Sequence, residues 1–207
     1  CRRQWFMTRG IFLVFEGPDG SGKTTQARRI AEQRDALFTR EPGGTAIGER
    51  IRDLLLDPAN SEMDDRTEAL LYAAGRAQHV VEVIEPALAA GRDVVCDRFI
   101  SSSLAYQGVG RGLGVDAVRG LSLFATGGLL PDAIVLIDVP SDVSLDRLAG
   151  EHDRLESGGE ALLNKVNSAY AQFAAADPAT WVVVDGVGSI EQVAGRLDSA
   201  LSERLNW

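Results

Sequence analysis

The sequence predicts a single α/β domain in which a parallel sheet is covered by helices on both faces. Short apolar runs rich in valine, isoleucine and phenylalanine alternate with segments of helical period along the chain. The runs are continuously apolar, as expected of strands that are buried on both faces. The first run leads directly into a glycine-rich loop, and a helical segment follows that loop. Together these observations favour strand–helix alternation around one sheet.

Each predicted strand is a short run with β-branched and aromatic residues. The five segments are 10–17, 36–44, 92–98, 131–140 and 180–186. The second run ends at Pro42, because proline cannot donate to a sheet ladder. We therefore expect five strands.

Segments with helical period fill the intervals between the strands. They are 23–33, 47–57, 64–91, 115–126, 141–149, 160–176 and 189–205. The long segment 64–91 opens with acidic residues, as a helix start prefers, and closes at Gly91. The pattern predicts one uninterrupted helix there.

The chain shows no internal repeat and no linker that would divide it, so residues 7–207 are expected to form one domain. Residues 1–6 precede Met7 and are interpreted as a start-site or expression remnant. Lipidation of Cys1 is the alternative, although no signal segment supports it.

Composition restricts the partners of the chain. Thirty acidic residues against 21 basic ones give a net charge of −9, which argues against nucleic-acid binding because a duplex selects a basic face. No apolar stretch approaches the roughly 20 residues of a membrane span. The two cysteines are too few to crosslink 207 residues, and Cys96 lies in an apolar run, so a buried thiol and a reducing cytoplasm are expected.

The stretch "GPDGSGKT", residues 17–24, matches the pattern G-x-x-x-x-G-K-[ST] in full. Its glycines allow successive backbone N–H groups to point at phosphate oxygens, and the following helix adds its positive end. Lys23 is placed to contact the β- and γ-phosphates, and the Thr24 hydroxyl suits Mg²⁺. ATP or GTP binding is therefore predicted for the loop residues Gly17, Pro18, Asp19, Gly20, Ser21, Gly22, Lys23, Thr24 and Thr25.

Three classes of protein use such a loop: small-molecule kinases, GTPase switches and ATPase motors. A GTPase requires Asn-Lys-x-Asp after a strand, but the "NKVN" of 164–167 lies in a helical segment and lacks the aspartate. A motor requires an apolar strand that ends in Asp-Glu, and no predicted strand does so. These absences favour the kinase.

A kinase needs a second anionic pocket beside the loop. Arg40 and Arg98 follow two predicted strands, and the carboxyl ends of parallel strands form the binding crevice of an open α/β sheet. Arg52 and Arg76 lie on the next two helical segments. Guanidinium groups hold phosphate in a bidentate fork, although Arg52 could equally be a surface residue and Arg76 could pair with a carboxylate.

Beyond the loop, "FTREPGGT", "LLYAAGRAQH", "CDRFISSSLAYQGVGRG", "PDAIVLIDV" and "HDRLE" follow in an order that resembles the bacterial thymidylate kinases. The resemblance covers residues 10 to 204. It implies a P-loop NTPase-type three-layer sandwich with the strand order 2-3-1-4-5, a mobile lid over ATP at about 147–158, and a homodimer. It also implies transfer of the γ-phosphoryl group of ATP to dTMP.

On the donor side, the resemblance implies that Lys23 and Thr24 hold the ATP phosphates and Mg²⁺. Asp19 would face the acceptor sugar and its 3′-hydroxyl. Arg98 would bridge the donor and acceptor phosphates.

On the acceptor side, the resemblance implies that Arg40 and Arg52 bind the dTMP phosphate, with Glu41 nearby. Tyr72 would stack on thymine, and Arg76 would hydrogen-bond its carbonyl.

Three further positions match the family at the base and sugar. Ser103 and Gln107 would read the base edge. Tyr106 would crowd position 2′ of the sugar and so disfavour ribose.

In this family a catalytic basic residue comes either from the phosphate loop or from the lid. The variable loop positions 18–21 are not basic, so the lid is expected to supply the residue. Arg147 and Arg154 are the available arginines, and we favour Arg154, with anchoring of the loop by an ion pair as its alternative role. The remaining alternatives for the whole chain are a kinase of another nucleoside monophosphate and a nucleotide-dependent switch without transferase activity.

Overall fold

The computed structural model describes residues 9–147 and 159–205. The strands are β1 Phe12–Glu16, β2 Leu37–Arg40, β3 Val94–Asp97, β4 Ala133–Asp138 and β5 Trp181–Asp185. All of their pairings are parallel, and their order across the sheet is β2-β3-β1-β4-β5. This order confirms the fold class that the sequence predicts.

Helices connect these strands and follow the last of them. They are α1 Lys23–Gln33, α2 Ala46–Leu56, α3 Asp65–His79, α4 Glu85–Ala89, α5 Ile100–Ser103, α6 Val115–Thr126, α7 Ser141–Arg147, α8 Gly159–Ala176 and α9 Ile190–Leu205. A 3₁₀ turn occupies Pro58–Asn60, and π-helical segments occupy Val80–Ile84 and Leu104–Gly110. The third and fourth α-helices are joined end to end by the first π-helical segment.

Side chains of the central strand alternate between two cores. Phe12 and Val14 face a core shared with the helices after β3 and with α8. Leu13 and Phe15 face the opposite core, which α1 and α9 cover. All four side chains are fully buried. The odd-numbered and even-numbered positions among these four are both apolar, because a strand buried on both faces has no solvent side.

Two elements differ from the expectations. The segment 64–91 is one helical rod in which the turn Val80–Ile84 widens to a π-helix, and it ends at Gly91 as predicted. The serine- and glycine-containing stretch 100–110 is helical, although no helix was predicted there. Its serines and glycines have low intrinsic helix propensity, and burial of Leu104 and Ala105 against the core stabilises the helix.

Within residues 9–147 and 159–205, no helix combines the length and the apolar character needed to cross a membrane. Cys96, the thiol predicted to be buried, is free and completely covered. Burial raises the pKa of its thiol well above the ordinary value.

Candidate active site

The glycine-rich loop joins β1 to α1 at the carboxyl edge of the sheet. Gly17 requires glycine, because its φ is +143° and an added Cβ would lie 2.6 Å from the carbonyl oxygen of Ile137. Gly22 has a left-handed conformation at the N-cap of α1 and offers no side chain to cap the helix. The N–H of Lys23 donates to Ser21 Oγ at 3.4 Å, and within the described chain those of Thr24 and Thr25 remain available to an anion.

Asp19 is the centre of an ionic cluster inside this loop. Its Oδ1 accepts hydrogen bonds from Arg98 Nη2 at 2.6 Å and from Lys23 Nζ at 3.1 Å. Its Oδ2 accepts one from the Tyr106 hydroxyl at 3.2 Å. Burial alone would raise the pKa of Asp19, but the Arg98 and Lys23 charges hold it well below the usual range. The carboxylate is thus ionised, with two cations beside it.

Thr24 and Asp97 form an oxygen pair next to the loop. The Thr24 hydroxyl donates to Asp97 Oδ2 at 2.5 Å, and Asp97 Oδ1 is buried without a hydrogen-bond partner among the described residues. Mg²⁺ prefers one or two carboxylate or hydroxyl ligands together with substrate phosphates. The unpartnered oxygen fits that role. Asp97 was missed at the sequence level, although its place at the end of an apolar strand was a usable signal.

A cavity of about 80 Å³ adjoins the Asp19 cluster. Its walls include most of the side chains that the resemblance implies for the acceptor. These are Asp19, Glu41, Arg52, Tyr72, Arg76, Arg98, Ser103, Tyr106 and Gln107. Arg40 does not line this cavity; its guanidinium donates to Glu49 Oε2 at 3.0 Å. Arg52 lines the cavity and donates to the carbonyl oxygen of Pro42.

Arg76 is buried deep in this cavity wall, with 1% of its side chain exposed. Its Nε donates to Glu41 Oε2 at 2.7 Å, so the sequence-level alternative of a carboxylate partner is realised. Nη1 donates to Ser122, and Nη2 donates to Phe99 O and Ser103 Oγ. One of its five N–H groups, on Nη1, is left for a ligand.

Gln107 is held by a pair of residues that sequence reasoning did not identify. Its Nε2 donates to Glu68 Oε1 at 2.8 Å, and Arg111 donates to both oxygens of the same carboxylate. Glu68 is fully buried. This arrangement fixes the amide of Gln107, and within the described residues its carbonyl oxygen accepts no hydrogen bond.

Glu16, the last residue of β1, organises the loop that carries Arg98. It is fully buried. Its carboxylate accepts hydrogen bonds from the backbone N–H groups of Phe99 and Ser102 and from the hydroxyls of Ser102 and Tyr170. Arg98 Nη1 in turn donates to both hydroxyls. Arg98 therefore has a fixed position although its own φ is +70°.

Burial raises the pKa of Glu16 above its ordinary value of 4.5, against the hydrogen bonds from Ser102 and the Arg98 charge. The native state then holds this proton more tightly than the unfolded state, so Glu16 lowers the stability as the pH rises above 4.5 through the folded-state pKa.

Replacing Glu16 by Gln is expected to lower kcat about tenfold, because the amide NH2 that takes the place of Oε2 cannot accept the hydroxyl hydrogen bonds that align Arg98. The same change should remove the pH-dependent loss of stability. Urea unfolding at pH 5, 6, 7 and 8 measures the second effect, with Glu203→Gln, an exposed glutamate of α9, as the control. A kcat within twofold of the parent would contradict the positioning role.

Arg147 and Ser144 connect the end of α7 to the phosphate loop. Arg147 donates to the carbonyl oxygens of Gly20, Ser21 and Gly186, and the Ser144 hydroxyl donates to the carbonyl oxygen of Asp19. Arg154 and the rest of the predicted lid after Arg147, residues 148–158, lie outside the described residues.

A second opening adjoins the other side of the loop. This cavity of about 280 Å³ lies between the loop, Thr25 and the turn that follows β5. Gly186, Gly188 and Ser189 form that wall. The glycine-rich loop therefore separates two cavities, and the Asp19 cluster lies on the side of the smaller one.

Comparison with known proteins gives the same family from three directions. The family model described as thymidylate kinase matches residues 15–196. Thymidylate kinase from Lactobacillus helveticus is 45% identical, with 95% of this chain and 98% of the relative covered. The enzyme of the same name from Desulforudis audaxviator is 47% identical, with 95% and 90% covered.

Among solved structures, the crystal structure of thymidylate kinase from Ehrlichia chaffeensis superposes with a TM-score of 0.75 at 30% identity. It covers 93% of this chain and 99% of that chain. Sequence identity, coverage and fold agree over nearly the whole length, so this chain belongs to the thymidylate kinase family.

Proposed function

We propose that this protein transfers the γ-phosphoryl group of ATP to dTMP, giving dTDP and ADP. The observation that carries the proposal is the cluster of Asp19, Lys23 and Arg98, which lies between the phosphate loop and the cavity lined by Tyr72 and Arg76. Two nucleotides that enter the two cavities would meet tail to tail at this cluster. Family membership supports the identity of both.

The reaction requires positioning and neutralisation of charge more than a strong base. An oxygen of the dTMP 5′-phosphate attacks the γ-phosphorus, and the bond to the bridging β,γ-oxygen breaks with its electron pair going to ADP. Lys23 and Arg98 would exchange their contacts with Asp19 for phosphate oxygens. Both cations would then stabilise the charge that spreads over the transferring group.

Mg²⁺, when bound, neutralises the β- and γ-phosphate oxygens and helps to hold them in line. The Thr24 hydroxyl and the Asp97 carboxylate would hold it, because Asp97 Oδ1 is the buried oxygen without a partner in the described chain. Closure over ATP of a lid formed by residues at about 147–158 would exclude water, which otherwise competes as the acceptor. Arg154 is our candidate for the lid cation.

The acceptor cavity is suited to a pyrimidine deoxynucleotide. Tyr72 offers a ring for stacking, Arg76 one N–H group for a base carbonyl, and Ser103 and Gln107 line the same wall. Tyr106 lies against Asp19 near the expected sugar position. Since a single methyl group contributes only about 1–3 kcal/mol, discrimination of dTMP from dUMP should be modest.

The proposal is tested by incubating the protein with ATP, Mg²⁺ and one nucleoside monophosphate at a time while ADP is measured. We expect dTMP to be turned over well ahead of dUMP, with CMP, GMP and AMP inert. A different preferred monophosphate would support the alternative kinase. ATP turnover that ignores every monophosphate would support the switch.

We also propose that the protein works as a homodimer in the cytoplasm. Large apolar side chains on α2, α3 and α6 are exposed, among them Leu54, Leu70 and Phe124, the last to 88%. Such a patch on adjacent helices favours burial against a second copy. The free thiol of Cys96 supports a reducing compartment.

Replacing Phe124 by Glu is expected to shift the protein from dimer to monomer, because the carboxylate would be desolvated within the apolar patch. Sedimentation velocity at micromolar concentration measures the mass. Ile190→Glu, an equally apolar exposed position at the start of α9, is the matched control and should stay dimeric. A dimer in the Phe124 variant would place the interface elsewhere.

A further inference from the structure

A third cavity lies behind the active site, on the opposite side of Phe99 from the acceptor cavity. It has a volume of about 230 Å³ and lies between α5, α6, the end of α8 and the starts of β4 and β5. Phe99 lines both this cavity and the acceptor cavity. We refer to it below as the rear cavity.

The inner part of the rear cavity is mainly apolar and buried. The exposed residues of its lining are Arg119, Leu130, Ala176 and Asp177. Val14 of the central strand lines it and is fully buried. Leu104, Phe173 and Trp181 contribute further apolar surface. An apolar cavity of about 150 Å³ is large enough to take up benzene. The rear cavity can therefore accommodate a phenyl or branched alkyl group with a short chain.

Ser101 is a polar residue in this apolar wall. Its exposure is 7%, and its hydroxyl makes no hydrogen bond to any group in the described parts of the chain. The hydroxyl oxygen keeps a small accessible area, because it lines the cavity. It can therefore donate a hydrogen bond to a polar atom of a bound molecule.

Arg119 provides a cation at the same cavity. It is exposed on α6 and has no ion pair or hydrogen bond within residues 9–147 and 159–205. Asp177 also lines the cavity, but its Oδ1 accepts the N–H of Thr180, and no ion pair joins it to Arg119. In a chain with a net charge of −9, a cation without a partner next to an apolar cavity favours an anionic ligand.

Arg119 does not lie on the face of α6 that carries Phe124, which is the face proposed to contact a second copy. At 100° per residue, it lies about 140° around α6 from Phe124. The proposed dimer therefore leaves the side of α6 that faces the rear cavity open.

We propose that the rear cavity is a second ligand site, which takes a small aromatic or branched apolar carboxylate. The hydrocarbon part would pack against Phe173 and Trp181. The carboxylate would pair with Arg119, and the Ser101 hydroxyl would donate to a polar atom of the ligand.

Binding is tested by calorimetry without nucleotide, using 4-phenylbutyrate and its uncharged analogue 4-phenylbutan-1-ol. We expect the carboxylate to bind more tightly, and Arg119→Gln to weaken it about tenfold while leaving the alcohol unchanged. Arg66→Gln is the matched control, since it makes the same charge change at a remote position that is 80% exposed.

Three results would contradict the proposed ligand site. They are no heat with either compound, binding of 4-phenylbutyrate that Arg119→Gln leaves intact, and an equal loss of 4-phenylbutyrate affinity in Arg66→Gln. Ala176→Phe, which narrows the cavity at an exposed wall position, should abolish binding of both compounds. Unchanged binding in that variant would also reject the location.

Phe99 lines both the rear cavity and the acceptor cavity, so a ligand in one can influence the other. This part of the inference rests on the proposed function. The carbonyl oxygen of Phe99 accepts from Arg76, and its N–H donates to Glu16. A ligand against the rear of the ring should therefore change the KM for dTMP by at least about twofold. An unchanged KM at saturating 4-phenylbutyrate would reject this coupling, whereas absence of all turnover would count against the kinase assignment.

Discussion

Lys23→Ala is expected to lower kcat by about 10²–10³-fold, because the transferring phosphoryl group loses the cation nearest to the phosphate loop. Lys23 is buried, and its Nζ contacts Asp19 Oδ1 and the carbonyl oxygen of Pro18. Asp19 keeps its hydrogen bonds with Arg98 and Tyr106 in the variant. We therefore expect the fold to survive while the chemistry fails.

Single-turnover measurement with saturating ATP and the protein in excess over dTMP separates the chemical step from product release. The chain offers a matched control, because Lys165 is its only other lysine and lies exposed on α8. Lys165→Ala should leave kcat within twofold. If Lys23→Ala turned over as fast as the parent, with an unchanged melting temperature, the role of Lys23 in the proposed mechanism would be wrong.

Arg98→Lys should lower kcat about 10²-fold although the charge is retained. The guanidinium of Arg98 uses one nitrogen for Ser102 and Tyr170 and another for Asp19. An ammonium group is a point charge on a flexible stem and cannot hold these directions at once. Both residues carry the same cost at φ +70°, so the substitution isolates the effect of the planar fork.

Steady-state kinetics with dTMP as the varied substrate measure this effect as a fall in kcat larger than the rise in KM. Arg66→Lys on the exposed start of α3 is the control. A loss confined to KM would indicate that Arg98 binds dTMP without stabilising the transition state.

Much of the fold could be predicted because the signals for it are local. The apolar runs, the acidic start of α3, the glycine that ends its helical rod and the pattern G-x-x-x-x-G-K-[ST] each lie within a short window of sequence. The helix at 100–110 was missed for the same reason. Its serines and glycines argue against a helix locally, and only packing against the core reverses that preference.

Site residues could be predicted where a residue type suited to phosphate chemistry lies in the phosphate loop or at the end of a predicted strand. Asp19, Lys23 and Arg98 were all expected near the phosphate loop, and the described structure brings both cations within hydrogen-bond distance of the Asp19 carboxylate. Arg40 had the same sequence signal, yet it pairs with Glu49 and does not line the cavity. A position at the carboxyl edge of the sheet does not specify the direction of a long side chain.

The sequence by itself determined the strand–helix alternation, the phosphate loop and the family, since each depends on neighbouring residues or on motif order. Only the tertiary structure decided that Glu16 aligns the Arg98 loop, that Asp97 joins Thr24, and that Phe99 separates two cavities. These contacts join residues far apart in the chain: Tyr170 and Glu16 are separated by 154 positions, and Thr24 and Asp97 by 73. No local pattern encodes such a contact, because it forms only when distant segments pack around the same sheet.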